Sequence, residues 1–329
     1  MIEPRERLGK LSERYRRFAE IETRGVSPTY EKLALAISSS IEILEFIARL
    51  PEDRQQPHLF LAAARKVAGV PRSCDHLVEI VRQRANELRT ILLSLTTQTN
   101  EPARCAVLLP ALASLPQPLA LLEVGASAGL CLIPDRYGYD YGRVRVMPRP
   151  RRDGHCPVFP CEANDAAPLP LEMPTIAWRR GLDLHPLDVR SQHDIDWLEM
   201  LVWPDDIQRT ERLRAAIETA SADPPVIVKG DLVENLAVAA SSAPKNATLV
   251  VFHTAVLGYV SDQSDRERFA NIVRDLEAVW ISNEPPNVFP RIREQAPLSL
   301  PQGRFLLAID GKALAWTAPH GQAIHWFAD

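Results

Sequence analysis

No Cys-x-x-Cys pair occurs in the 329 residues; the five cysteines, Cys74, Cys105, Cys131, Cys156 and Cys161, stand apart. An odd, scattered set reads as free thiols rather than as a disulfide framework. His155, Cys156 and Cys161 lie close together, but no second cluster with ligand spacing completes a zinc site, so no metal is expected. There is no basic excess either. A formal net charge of −4 gives no electrostatic case for nucleic acid or an anionic membrane as a partner. The apolar-rich run from Cys105 to Pro134 is interrupted by Pro110, Pro116, Pro118 and Glu123, which argues against a membrane span. The opening MIEPRERLGKLSERYRRF has no apolar core of a signal peptide, so the expected location is the cytoplasm.

Hydrophobic content of 46% and charged content of 24% are those of a globular protein. Residues 1–115 carry no strand-like alternation and read as an all-helical region. Leu8, Leu11, Tyr15, Phe18 and Ile21 recur at helical spacing, Ser27-Pro28 opens the next helix, and Pro51, Pro57 and Pro71 punctuate. These stripes are core. The segment from Thr97 to Leu112 differs, because Gln98, Thr99, Asn100, Glu101 and Arg104 put five polar groups before an apolar helix. A cap needs one such residue, with Asn100 placed for it and Pro102 near the first turn. The cluster is therefore a candidate for a ligand pocket, under a helical region expected to cover the sheet edge.

Pro118 to Leu132, PLALLEVGASAGLCL, is the most informative stretch. An apolar run, Leu119 to Leu122 with Val124, suits a buried strand. Gly125, Ala126, Ser127, Ala128 and Gly129 form a turn of small residues, and Leu130, Leu132 and Ile133 suit the start of a helix. Strand, small-residue turn and helix form the unit in which backbone N–H groups meet a ligand. Glu123, at the carboxyl end of the strand, is placed to accept hydrogen bonds from it.

Beyond the turn, Asp135, Arg136 and Tyr137 lie close to the expected pocket. Residues 138–174, rich in Pro, Gly, Arg and Tyr, read as an inserted loop or hairpin; the arginines there (Arg143, Arg145, Arg149, Arg151, Arg152) suit a solvated surface or an anionic substrate. Strands then end near Asp183, at Gly230-Asp231-Leu232, at His253 and at Asn283-Glu284, with helices between. The tail reads as two antiparallel strands around Asp310-Gly311 and a further strand near Ile324. An open parallel sheet binds ligands at the carboxyl ends of its strands. That edge gathers Glu123, the 125–129 turn, Asp183, Asp231, His253 and Asn283.

Three motifs compete for the turn. A dinucleotide G-x-G-x-x-G fails, because Ser127 replaces the second glycine and the third comes one residue early. G-x-S-x-G matches the nucleophile elbow of the α/β-hydrolases, with Ser127 as nucleophile and Asp231 or Glu284 and His320 or His325 as partners. Only helices precede Ser127, however, where such an enzyme needs several strands. E-x-G-x-S-x-G resembles the first motif of class I S-adenosylmethionine-dependent methyltransferases, and the downstream order of elements agrees with it. The runs TQTNEPARCA, LLEVGASAGL, DRYGYDYG, AWRRGLDLHPLDV, VKGDL, TLVVFHTAVLGYV and WISNEPP also resemble an uncharacterised bacterial family, the domain of unknown function numbered 2332.

Together these resemblances imply an α/β fold with a class I methyltransferase-like (Rossmann-like), mostly parallel sheet over residues 116–329. An antiparallel C-terminal hairpin ends it, an insertion lies at about 138–174, and the helical region 1–115 precedes it. They imply S-adenosylmethionine as cofactor, held at Glu123, Gly125, Ala126, Ser127 and Gly129, with its ribose at Asp183 and its adenine at Asp231 and Leu232. The stretch from Gly125 to Asp183 is far longer than the usual ~20 residues, a gap the insertion has to explain. The acceptor is expected to be a small molecule, with Gln98, Asn100, Glu101, Arg104, Asp135, Arg136, Tyr137, Tyr259, Asn283 and Glu284 around it. His253 is the natural general base, or else a satisfied core histidine. A non-catalytic module that binds ligand in the same fold is the alternative.

Overall fold

The computed structural model describes residues 4–98, 100–148, 156–297 and 303–328. Thr99, Arg149, Arg151, Arg152 and His155 lie outside the described residues. The chain divides into two compact units: residues 1–99 with 192–211, and residues 100–191 with 212–329. The helix Arg104–Ala113, which the sequence groups with the N-terminal helices, belongs to the second unit.

The first unit is helical. Its helices span Pro4–Arg17, Pro28–Ser38, Ile41–Ala48, Pro57–Ala68, Cys74–Gln83, Ala85–Ser94 and Gln192–Leu201. Ser27 caps its helix as expected, its hydroxyl accepting from Tyr30 N at 3.2 Å, with Pro28 in the first position. The apolar stripes form one core around Tyr15, Phe60, Leu77 and Leu88. Residues 192–211 join this core because Trp197 and Leu201 are buried in it. The Trp197 indole N–H donates to Thr96 O at 3.0 Å, and Arg65 donates to Val202 O at 2.6 Å.

The second unit is built on strands β1 (Leu119–Val124), β2 (Gly138–Asp140), β3 (Arg145–Val146), β4 (Val158–Pro160), β5 (Glu162–Ala163), β6 (Ile176–Asp183), β7 (Ile227–Lys229), β8 (Thr248–Thr254), β9 (Val279–Glu284), β10 (Phe305–Ile309), β11 (Lys312–Thr317) and β12 (Ala323–Trp326). Nine of them form one sheet in the order β5-β12-β11-β10-β9-β8-β1-β6-β7. From β7 to β9 all pairs are parallel; β9, β10, β11 and β12 follow as an antiparallel meander. β1 is central and all six of its residues are buried, which is why it reads as an unbroken apolar run rather than an alternation. Asp310 and Gly311 both take left-handed backbone conformations, the geometry of a two-residue hairpin turn, so the expected hairpin forms there. The insertion folds as the small sheet β3-β2-β4, and β5 extends the edge of the main sheet.

The face carrying Leu122, Val124, Leu182 and Val251 packs under the helices Leu236–Ala240 and Gln263–Asp275 through Leu236, Phe269 and Val273. Among the described residues, no helix is long and apolar enough to cross a membrane.

His58 ties the first unit to acid conditions. Burial pushes its imidazole down from 6.5 to about 4, with a nearby Arg209 acting in the same direction; the hydrogen bond between its Nε2 and Leu201 O, at 2.7 Å, opposes. The unfolded chain therefore takes up a proton at this histidine that the folded chain refuses. Stability falls as pH drops from 6.5 towards 4, by on the order of 3 kcal/mol. Urea unfolding at pH 7 and pH 4.5 checks this. His58→Gln, which keeps a donor for Leu201 O, is expected to lose less stability over that interval than the unmutated protein.

Candidate functional site

The chain leaves β1 for β6 and β7 on one side and returns to β8 and β9 on the other. The carboxyl end of β1 is therefore a topological switch point, where neighbouring connections diverge and leave a crevice. Glu123 stands there, 4% exposed, and its Oε2 has no hydrogen-bond partner among the described residues. Burial, first, and then the neighbouring Cys131 and Asp183 push its carboxyl well above the usual value, against the pull of Arg104. An unpaired acceptor this deep costs free energy until a donor arrives.

Pairing of Glu123 with Phe252 and of Thr254 with Asn283 puts Glu123, Thr254 and Asn283 on one face of the sheet. Arg104, equally buried, donates from Nη1 to Thr254 O at 3.1 Å and to Thr254 Oγ1 at 3.2 Å, and from Nε to Pro319 O at 2.8 Å. Asn283 Oδ1 accepts from Thr317 Oγ1 at 2.7 Å, while its Nδ2 is buried and unpaired. The result is a buried polar row across four strands. Thr254 and Thr317 were not singled out by sequence; their only signal is a polar residue at the last position of an apolar strand.

The small-residue turn differs from the expectation in two ways. No α-helix follows it: Leu130–Leu132 is a single 3₁₀ turn, entered through Gly129 in the left-handed conformation and broken by Pro134. Nor does the turn offer free donors. Gly125 N and Ala126 N donate to Leu182 O (2.8 and 3.4 Å), Ser127 N to Asp183 Oδ2 (2.8 Å), Ala128 N to Asn100 Oδ1 (3.2 Å) and Gly129 N to Ala126 O (2.6 Å). The glycines serve the backbone. Both have positive φ, and a Cβ at Gly125 would stand 2.4 Å from Val256 Cγ2, one at Gly129 2.6 Å from Pro225 Cγ. Ser127 also has positive φ, at 51°, and is buried.

Asp183 lies at this turn although 58 residues separate it from Gly125, because β6 pairs directly with β1 and the insertion loops away between them. Its Oδ1 accepts from His185 N at 2.7 Å, so each carboxylate oxygen holds one backbone N–H. Asp231 caps its own turn: Oδ1 accepts from Val233 N (2.7 Å) and Glu234 N (3.2 Å), and Asn235 Oδ1 accepts from Asp231 N (2.7 Å). Leu232 packs against the apolar cluster under the sheet.

Asn100 is not the helix cap. The helix starts at Arg104 after Ala103 with no side-chain cap, and Asn100 is held to the 125–129 turn instead, its Nδ2 buried and unpaired. Glu101 is 1% exposed; its Oε1 accepts from Ala103 N at 3.3 Å and lies 3.7 Å from Arg212 Nε, and its Oε2 lies 3.9 Å from His320 Nδ1. Gln98 falls in the first unit.

His253, the candidate base, has both ring nitrogens engaged. It is fully buried, its Nε2 accepts from the Trp280 indole N–H at 2.9 Å, and its Nδ1 lies 2.7 Å from Glu284 Oε1. An indole nitrogen only donates, so the neutral ring carries its proton on Nδ1 and donates it to Glu284. Neither nitrogen is left for a substrate, and the satisfied core histidine is the outcome. Tyr259 is 70% exposed on the short turn Leu257–Tyr259.

Asp135 and Arg136 are drawn away from the carboxyl edge, whereas Tyr137 stays beside the residues that follow the turn. Arg179 holds Asp135 in a two-pronged ion pair (2.8 and 2.9 Å), and Arg136 is paired with Asp223. Both border a surface cavity of about 320 Å³ with Pro174, Thr175 and Ile176, at the amino end of β6. Tyr137 is fully buried, and its hydroxyl donates to Leu130 O at 3.0 Å.

Glu123 supplies a direct test. Its neutral form is fully stable below the ordinary 4.5, and that contribution is lost as pH rises through the raised folded value. Glu123→Gln, which cannot ionise, is expected to be more stable than the unmutated protein at pH 8 by about 1–3 kcal/mol and nearly equal to it at pH 5. Urea denaturation at the two pH values measures the difference; a less stable variant at pH 8 would contradict the assignment.

No curated protein and no solved structure matches the chain. The sequence model of one family, described as "Uncharacterized protein conserved in bacteria (DUF2332)", matches residues 12–326 and so runs through both compact units. The protein belongs to this uncharacterised bacterial family, the domain of unknown function 2332.

Proposed function

We propose that the protein is an S-adenosylmethionine-dependent methyltransferase of class I type acting on a small-molecule acceptor, with the cofactor bound at the carboxyl end of β1. The observation that carries this reading is Glu123, a buried carboxyl with an unpaired oxygen at the switch point of a parallel sheet. Its natural partner is a donor group such as the cofactor's ammonium. The parallel strands, counted without the others, run in the order 3-2-1-4-5 of doubly wound nucleotide-binding folds.

The spent N–H groups of the turn support the choice of cofactor. A dinucleotide needs them for its pyrophosphate, whereas S-adenosylmethionine carries no phosphate and is held by side chains. Each oxygen of Asp183 keeps a lone pair for ribose hydroxyls, and Asp231 stands at the end of the next strand for the adenosine. The cofactor supplies an electrophilic methyl group. The protein's part is to hold the acceptor in line with it and to exclude water. Asn100 and Asn283 are the buried donors available for orienting the acceptor.

One observation favours a second reading, a ligand-binding module without turnover: the histidine at the end of β8 has both nitrogens committed. Calorimetry on the full chain with S-adenosylhomocysteine tests the shared step. Binding is expected, weakened about tenfold or more in Glu123→Gln, the loss of one charged hydrogen bond. No heat from the unmutated protein at millimolar ligand rejects both readings. Acceptor-dependent formation of S-adenosylhomocysteine separates the enzyme from the module.

A further inference from the structure

Trp280, partly buried, and the buried His253 and Glu284 form a chain of hydrogen bonds that ends on the loop after β8. Glu284 Oε1 accepts from His253 Nδ1 at 2.7 Å, from Val256 N at 2.8 Å and from Leu257 N at 3.1 Å. One carboxylate oxygen thus holds three donors. All members lie where the sheet needs no such group. Glu284 is 2% exposed, His253 fully buried, and Phe269 and Phe289 pack around the imidazole with ring centroids at 5.5 and 6.4 Å. An apolar pair here would pack as well without the cost of burying a carboxylate.

The loop it grips reaches the switch point. Ala255 takes a positive φ of 56°, its N donating to Asn283 O at 3.1 Å, which turns the chain sharply off β8. Val256 then lies against Gly125, so close that a Cβ on the glycine would stand 2.4 and 2.7 Å from the valine methyls. The path from Trp280 to the small-residue turn is therefore continuous: an indole fixes the imidazole tautomer, the imidazole orients the carboxylate, the carboxylate pins two amides, and the valine between them walls the turn.

We propose that Glu284, oriented by His253 and Trp280, is a positioning residue that seats the 255–259 loop against the 125–129 turn and so sets the shape of the ligand site at the end of β1. It touches no reacting atom. The proposal rests on the ligand reading given above. His253 thereby acquires a role in the site, though not as its base.

The test combines amide hydrogen exchange of residues 254–260 with S-adenosylhomocysteine calorimetry on the full chain. Glu284→Ala is expected to speed exchange at Val256 and Leu257 at least about tenfold, through loss of two charge-assisted bonds, and to raise the dissociation constant about tenfold. Glu284→Gln, which keeps an oxygen in the position of Oε1, is expected to restore both. Val256→Gly, which keeps the clasp and removes the wall, is expected to weaken binding without faster exchange at Leu257; it also serves if Glu284→Ala does not fold. Unchanged exchange in Glu284→Ala overturns the clasp. Faster exchange with unchanged affinity, or full affinity in Val256→Gly, overturns the positioning role. Absence of binding by the unmutated protein instead rejects the ligand reading, and the ligand role of the clasp with it, whatever exchange shows.

Discussion

A carboxyl group buried at the end of the central strand is the constraint on which the second unit depends. Glu123 sits between two parallel neighbours, in a face shared with Thr254 and Asn283, and its Oε2 has no partner among the described residues. A sequence selected for stability alone would place a leucine there, continuing the apolar run of Leu119 to Leu122. Burial of an unsatisfied group is tolerated where something outside the fold completes it.

The backbone N–H groups of the turn that follows Glu123 are, by contrast, fully engaged. Every N–H of the 125–129 turn has an acceptor, Asp183 and Asn100 each hold one of them, and Val256 and Pro225 close the glycine faces. Such a turn is rigid and already formed. Its N–H groups are spent within the fold, so among the neighbouring groups the unpaired donors and acceptors are side-chain atoms of Glu123, Asn100 and Asn283. Rigid elements of this kind hold binding groups more closely than mobile loops do.

Strand positions were legible in the sequence because their cause is local: apolar runs ended by polar residues at Asp183, Asp231, His253 and Glu284 became β6, the segment after β7, β8 and β9. The parallel sheet, the hairpin at Asp310-Gly311 and the place of Glu123 at the carboxyl end of the central strand followed from the same pattern. Partners distant in sequence were not legible. The sequence leaves His253 open between a base and a satisfied core histidine until Trp280 and Glu284, 27 and 31 residues on, take its two nitrogens. It leaves Asn100 open between a pocket residue and a cap until Ala128 claims its oxygen, and Asp135 and Arg136 read as pocket residues until Arg179 and Asp223 hold them. Residues 192–211 have an ordinary helical pattern; that Trp197 belongs to another core is a fact of tertiary packing alone.

The most direct measurement is a carbon-13 titration of the Glu123 carboxyl in the full chain, assigned with Glu123→Gln, in the absence and presence of S-adenosylhomocysteine. A midpoint well above the ordinary 4.5 is predicted for the protein alone. With ligand bound, the midpoint should move down, because a neighbouring ammonium favours the carboxylate. A Glu123 that titrates at its ordinary value, or one whose midpoint is unmoved by saturating ligand, would contradict the account.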